Sequence, residues 1–113
     1  MDRTISPADF KKLRNSTAVA LLDVRRKSDF DASHEKILGA NWCDPDSIEA
    51  WAGKVPMNRE VVLYCMRGRA ISDAVVDALQ AKGYRARFIE GGIEGWKAAG
   101  GDTVNTRVTL PAD

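Results

Sequence analysis

Several features that would point to a class of function are scarce in this sequence of 113 residues. It has only two cysteines, Cys43 and Cys65, and one histidine, which gives neither a disulfide framework nor metal-type spacing. Basic and acidic residues number 17 and 16, and a net charge of +1 gives no argument for nucleic acid or an acidic membrane as a partner. No apolar run approaches the length of a membrane span.

What is present matches one ordinary folded domain. Apolar residues make up 44% and charged residues 29% of the chain, and its length fits a single core. The start, Met1-Asp2-Arg3-Thr4, runs into polar helix material, so we expect no signal peptide. Together with the low cysteine count, this favours a reducing, cytoplasmic location.

Short apolar runs alternate with helical patterns along the chain. Strands are predicted over residues 18–22, 37–42, 61–65 and 87–89. Helices or helical turns are predicted over residues 6–14, 28–33, 47–52, 70–82 and 93–99. The alternation predicts an α/β fold, a small parallel sheet of four to five strands flanked by helices on both faces. We predict one domain over residues 1–101, followed over residues 102–113 by an edge strand or a mobile tail.

The segment Cys65-Met66-Arg67-Gly68-Arg69-Ala70 carries the strongest chemical signal. Because it joins a predicted strand to a predicted helix, Cys65 would face the backbone N–H groups at a helix N-terminus. Those groups and the two arginines favour the thiolate over the thiol and can hold an anion. The carboxyl ends of parallel strands meet at one edge of a sheet, where ligands bind. Asp23, Cys43 and Cys65 each lie at the carboxyl end of a predicted strand.

Further motifs occur in a characteristic order around this segment. They are Leu22-Asp23-Val24-Arg25 with Asp29-Phe30, Ile37-Leu38-Gly39-Ala40, Tyr64-Cys65-Met66-Arg67-Gly68, and Gly91-Gly92 with Trp96. With this order and spacing, over most of its length, the chain resembles the single-domain rhodaneses, which are sulfurtransferases. The resemblance implies a rhodanese-like fold and a reaction that proceeds through a cysteine persulfide.

In that reaction the Cys65 thiolate attacks the outer sulfur of thiosulfate or a related donor and sulfite leaves. Cyanide or a thiol, including a protein thiol, then takes the sulfur from Cys65. No metal or organic cofactor is implied, and the expected partners are a small anionic donor and the acceptor, not nucleic acid or membrane. Cys65 is predicted as the catalytic residue, and the substrate-binding residues as Met66, Arg67, Gly68, Arg69 and Ala70.

The same loop departs from the family pattern and also argues against a neighbouring chemistry. The family often carries a basic residue directly after the cysteine, where this chain has Met66, so Arg67 or Arg69 would supply that charge. Related cysteine phosphatases place an arginine where this chain has Ile71, and without it a phosphoryl group loses its bidentate clamp. Two alternatives to sulfur transfer remain: a thiol-dependent factor that reduces or detoxifies an oxyanion such as chromate, and a non-catalytic binding module.

Some residues outside the loop have both a functional and a structural interpretation. Arg25 is expected to pair with Asp29 and hold the loop after the first long strand. Cys43 is either a resolving thiol for Cys65 or a small residue packed at a strand end. Trp42 is a candidate for lining the pocket, and His34 is expected in an exposed loop.

Overall fold

The computed structural model describes residues 3–67 and 70–105, and these form an α/β structure. The strands are β1 (Thr4–Ile5), β2 (Val19–Asp23), β3 (Glu35–Ile37), β4 (Asn41–Trp42), β5 (Glu60–Tyr64), β6 (Ala86–Ile89) and β7 (Thr103–Asn105). The helices are α1 (Pro7–Ser16), α2 (Lys27–Ala32), α3 (Ile48–Trp51), α4 (Ala70–Ala81) and α5 (Gly92–Ala98), with short 3-10 turns on either side of α3.

The main sheet has five strands in the order β1-β6-β5-β2-β4, and every neighbouring pair is parallel. This confirms the predicted fold class. β5 occupies the centre because its residues 61–64 are all apolar and fully buried, as a strand covered on both faces requires. All five strands therefore end at one edge, and the residue that follows β5 is Cys65.

Helices cover both faces of this sheet. On one face, Leu22, Leu63 and Cys65 belong to a core cluster that includes Val75 and Leu79 of α4. On the other face a second cluster joins α1 and α5 to the sheet, and its members include Phe10, Leu21, Val62, Tyr64, Ile93 and Trp96. Neighbouring residues of a strand point to opposite faces, so Tyr64 and Cys65 belong to different clusters.

Helix α1 begins where its sequence predicts. Ser6 accepts a hydrogen bond from the backbone N–H of Asp9 at 3.1 Å, and Pro7 occupies the first helical position. Helix α4 covers residues 70–81 of the predicted 70–82, and its apolar positions recur with helical spacing against the sheet.

The prediction of a single strand over residues 37–42 is wrong. Gly39 adopts a φ of +87°, which turns the chain and separates β3 from β4. β4 joins the main sheet parallel to β2, whereas β3 pairs antiparallel with β7 in a second sheet of two strands. The sequence analysis also missed β1, whose two residues are too few to show a periodic pattern.

The chain continues past α5 along the outside of the domain. Trp96 donates from its indole N–H to the backbone oxygen of Asp102 at 2.8 Å, and β7 then pairs with β3. Thr106, Val108 and Leu110, on which the predicted tail or edge strand partly depended, lie outside the described residues. Within residues 3–67 and 70–105, no helix is long and apolar enough to cross a membrane.

Candidate active site

Cys65 lies directly after the central strand, at the carboxyl edge of the sheet, and is 5% exposed. Helix α5 holds the backbone at this point, because the N–H of Ile93 donates to the Cys65 oxygen at 3.0 Å. The N–H of Glu94 donates in the same way to the Met66 oxygen at 3.2 Å. Strand β5 and the first turn of α5 therefore position Cys65 together. Neither Cys65 nor Cys43 forms a disulfide bond within the described parts of the chain.

An open cavity of about 700 Å³ lies above this edge of the sheet. Its described lining residues are Arg25, Arg26, Asp29, Cys65, Met66, Arg67, Ala70, Ile71 and Glu94. Three arginines and two carboxylates lie in the described lining, and Arg26 and Arg67 are its exposed cations. These two side chains can attract a small anion to the cavity.

The structure brings four of the six predicted site residues together in this lining. Cys65, Met66, Arg67 and Ala70 line the cavity, with Arg67 exposed and Met66 packed partly against the core. Gly68 and Arg69 lie outside the described residues, so the predicted ring of backbone N–H groups around the Cys65 sulfur stays a prediction. That Arg67 or Arg69 supplies the basic charge absent at Met66 stays a prediction.

A buried ion pair with Asp23 holds Arg25, one of the residues that line the cavity. The Arg25 guanidinium donates to both carboxylate oxygens of Asp23, with its Nη2 2.6 Å from Oδ2. The Tyr64 hydroxyl donates to the same Oδ2 at 3.1 Å. The described ion pairs do not include the expected one between Arg25 and Asp29. The local geometry explains the difference, since Asp23 also accepts from the backbone N–H of Arg25 at 3.1 Å and so folds onto it.

The ion pair changes the protonation behaviour of its members. Burial works against the charge of Arg25, but hydrogen bonding and attraction from Asp23 outweigh it and raise the guanidinium pKa. Burial raises the pKa of the Tyr64 hydroxyl far above its ordinary value, and the negative charge of Asp23 adds to the effect. Tyr64 is therefore a neutral hydrogen-bond donor, and Arg25 is a permanent cation beside the cavity.

Cys43 occupies a different place from the one that a resolving thiol needs. Val24 lies between the two cysteines, because its N–H donates to the Tyr64 oxygen and the N–H of Cys43 donates to the Asp23 oxygen. Two strand spacings separate the cysteine backbones by about 10 Å, whereas a disulfide needs Cα atoms within about 7 Å. Burial, followed by the charge of Asp23, raises the pKa of Cys43 to about 11.

The remaining candidates outside the loop are structural. Trp42 is absent from the described lining of the cavity. It packs on Phe30 with ring centroids 5.5 Å apart, and its indole N–H donates to the Arg25 oxygen at 2.9 Å. His34 is exposed, as expected. Within the described residues, no group of His, Cys, Asp or Glu side chains could hold a metal ion.

Two lining residues were missed by the sequence analysis. Arg26 follows the buried Arg25 and turns outward at the start of α2, where it lines the cavity as an exposed cation. Glu94 reaches the cavity because the first turn of α5 packs against the backbone of Cys65 and Met66. A signal for Glu94 existed in the Gly91-Gly92 motif, which places the start of a helix close to another backbone.

Comparison with known proteins places the chain among related sequences. The family model described as the Rhodanese-like domain matches residues 6–99. An uncharacterized protein of Synechocystis is 31% identical over 107 residues, which cover 92% of this chain and 57% of that protein. A probable adenylyltransferase/sulfurtransferase, MoeZ of Mycobacterium tuberculosis, is 32% identical over 82% of this chain but only 24% of its own length. The chain therefore spans between a quarter and three fifths of these relatives.

The fold has close counterparts among solved structures. A rhodanese-related protein from Thermoplasma volcanium superimposes with a TM-score of 0.78 at 24% identity, covering 91% of this chain and 98% of that one. At this identity the similarity establishes the fold alone. It agrees with the five-stranded parallel sheet and the helices on its two faces.

Proposed function

The chain belongs to the rhodanese-like domain family, and from this we propose that it is a sulfurtransferase in which Cys65 carries sulfur as a persulfide. The observation that carries the proposal is the position of Cys65 in the lining of a partly cationic cavity, at the carboxyl edge of a parallel sheet. The sulfurtransferase named among the relatives supports the same reaction class. Thiosulfate or a related sulfane donor is the proposed substrate.

The first proposed step transfers one sulfur atom to the enzyme. The Cys65 thiolate forms a bond to the outer sulfur of thiosulfate, and the sulfur–sulfur bond of the donor breaks. Its electron pair leaves with sulfite, so the total charge of −3 is the same before and after the step. Arg67 and the other cations of the cavity attract the donor and stabilise the dianion that leaves.

The second step returns Cys65 to the thiolate. Cyanide or a thiolate attacks the outer persulfide sulfur, and the electron pair of the broken sulfur–sulfur bond returns to Cys65. The product is thiocyanate or a new persulfide, and no external oxidant or reductant is consumed. We propose that the acceptor in the cell is a thiol, in a reducing compartment such as the cytoplasm, because the cycle needs a reduced Cys65.

The cavity lining also bears on the phosphatase alternative. Ile71 lines the cavity at the position where the longer phosphatase loop would carry its arginine. An isoleucine has no N–H groups with which to clamp a phosphoryl group. This observation supports sulfur over phosphorus as the transferred atom.

A turnover assay with thiosulfate and cyanide tests the proposal. The unaltered protein should form thiocyanate, and Cys65→Ser should form none. Cys43→Ser, which changes the same atom at the other cysteine, should retain most of the activity because Cys43 lies outside the described cavity lining. If the unaltered protein forms no thiocyanate but reduces chromate with a thiol as reductant, the oxyanion alternative replaces this one. If neither reaction occurs in the folded protein, the binding-module alternative gains support.

A further inference from the structure

One nitrogen of the buried guanidinium beside Cys65 lacks a hydrogen-bond partner. Arg25 is fully buried, and its Nε and Nη2 donate to Asp23, with Nη2 also donating to the Glu35 backbone oxygen at 3.0 Å. Among the described residues, Nη1 has no acceptor. The rings of Phe30 and Tyr64 lie 5.2 and 5.8 Å from Cζ, and neither ring supplies a lone pair.

An unpaired donor of this kind carries a cost that calls for an explanation. A buried N–H without an acceptor destabilises the folded state, and buried polar groups in native proteins are almost always paired. Arg25 lines the same cavity as Cys65, but Nη1 itself has almost no accessible surface, so an acceptor in that cavity reaches it only if the neighbouring side chains shift to admit it. Arg25 comes directly after Val24, the neighbour of Cys65 across the sheet edge, which places the two residues on adjacent strand ends.

We propose that Nη1 of Arg25 binds the oxyanion end of the sulfur donor and of the sulfite that leaves. This inference rests on the proposed function, and it assigns to the buried pair a substrate-binding role in addition to its structural one. Cys65 belongs to the core cluster on one face of the sheet, whereas Arg25 packs against Tyr64 of the cluster on the other face. A donor between them would offer its outer sulfur to the cysteine and its oxygens to the guanidinium.

The arrangement of the guanidinium suits this role. Asp23 and the Glu35 oxygen fix its orientation before any ligand arrives, so binding an oxyanion requires little further ordering of the side chain. Such fixed donors stabilise charge more effectively than solvated ones. Arg26 and Arg67 are exposed and contribute charge without that fixed direction.

Binding to a protein that cannot turn over tests this inference separately from catalysis. In a Cys65→Ser background, Arg25→Lys keeps the positive charge but removes the guanidinium nitrogens, and we expect it to weaken thiosulfate binding at least tenfold. Arg87→Lys is the matched control. Arg87 also pairs with a carboxylate, Glu60, and has a buried unpaired Nε, but it lies outside the described cavity lining. Its thiosulfate affinity should stay within twofold of the background.

A second readout leaves Arg25 unchanged, in case the lysine variant does not fold. In the ¹³C,¹⁵N-labelled Cys65→Ser protein, the Arg25 Nε–H signal, assigned through its own side-chain carbons, should shift saturably with thiosulfate. Sulfite should displace thiosulfate, because both present the same oxygens to Nη1. The inference is overturned if a folded Arg25→Lys variant binds thiosulfate as its background does, if the Arg25 signal does not respond at saturation, or if thiosulfate does not bind.

These results separate the inference from the proposed function. If thiosulfate binds through Arg25 but Cys65 never gains sulfur, the anion site is supported and the sulfurtransferase proposal is rejected. A protein that transfers sulfur normally but shows no Arg25 dependence would retain the sulfurtransferase and leave Nη1 with a structural role.

Discussion

The two cysteines of this chain differ in their surroundings more than in their position along the sheet. Both follow strands that end at the same edge, with Val24 between them. Cys65 lines the cavity that Arg25 and Arg67 also line, whereas Cys43 lines a separate cavity with Trp51. The groups around each thiol therefore distinguish Cys65, the proposed nucleophile, from Cys43, a packed thiol.

The raised pKa of Cys43 leads to a prediction about its alkylation. Because burial holds its pKa at about 11 instead of the ordinary 9.0, Cys43 should remain a thiol at neutral pH. In the folded Cys65→Ser protein, its alkylation rate should still be rising at about pH 10, where that of the urea-unfolded chain has levelled off. Peptide mass spectrometry gives both rates.

The raised pKa of Cys43 also makes the stability of the folded protein depend on pH. The protonated thiol favours the folded state, so its contribution is fully present below pH 9.0 and is lost as the pH rises through about 11. Coinciding alkylation profiles of the folded and unfolded chains would contradict the burial of Cys43.

At the scale of elements, helix α5 positions the site although its sequence carries no catalytic group. Its residue Gly95 lies so close to the preceding turn that an added Cβ would be 2.6 Å from the backbone oxygen of Glu90. Its first turn donates to the backbone oxygens of Cys65 and Met66. The position of α5 is therefore coupled to the position of Cys65.

The change Gly95→Ala should disturb that coupling. The added methyl group must displace α5 from Glu90, which we expect to cost about 1–3 kcal/mol in the free energy of unfolding. Thiocyanate formation should fall as well, because the hydrogen bonds from Ile93 and Glu94 would lengthen. Urea denaturation and the turnover assay measure the two effects.

Gly53→Ala is the matched control for this change, since a Cβ at Gly53 meets nothing within 4 Å. It should leave both stability and turnover nearly unchanged. Equal effects of the two substitutions would refute a specific role for the contact between α5 and the turn at Glu90.

At the scale of the whole molecule, the residues past the family match are integrated with the domain. The family model ends at residue 99, yet Asp102 accepts the indole hydrogen bond of Trp96, which is 4% exposed. β7 then pairs with β3, whose Glu35 oxygen accepts from Arg25. The described part of the C-terminal segment thus supports the wall of the cavity.

Truncation tests this contribution. A chain that ends at Gly101 should be about 1–3 kcal/mol less stable than one that ends at Asn105, because the buried indole N–H of Trp96 loses its acceptor. Its tryptophan emission should shift to longer wavelength as water reaches the ring. The comparison isolates residues 102–105, and identical unfolding curves for the two chains would show that these residues do not stabilise the fold.

Local patterns were sufficient to predict most of this molecule. The apolar run of β5, the helical spacing of α4 and the Ser6 cap predicted those elements within one or two residues. The split between β3 and β4 depended on a backbone angle at Gly39, and the pairing of β3 with β7 on residues far apart in sequence. Neither a single backbone angle nor a pairing between distant segments leaves a periodic signal in the sequence.

The same limit applied to the site. The place of Cys65, between β5 and α4 at the edge of the sheet, was predictable because an apolar strand and a helical pattern follow one another in sequence. The pairing of Arg25 with Asp23 instead of Asp29 could not be predicted. Both carboxylates are close enough in sequence to contact Arg25, and only the folded backbone decides between them. Arg26 lines the cavity through packing that no local pattern indicated, whereas the Gly91-Gly92 motif was an unused signal for Glu94.

The central claim is that Cys65 carries sulfur, and the intact mass of the reduced protein after exposure to thiosulfate tests it most directly. We predict a gain of one sulfur atom, located on the peptide that contains Cys65, absent in Cys65→Ser and reversed by cyanide. Cys43→Ser should gain the same sulfur as the unaltered protein. A folded, reduced protein whose mass does not change, or which gains sulfur on Cys43 instead, would contradict the account.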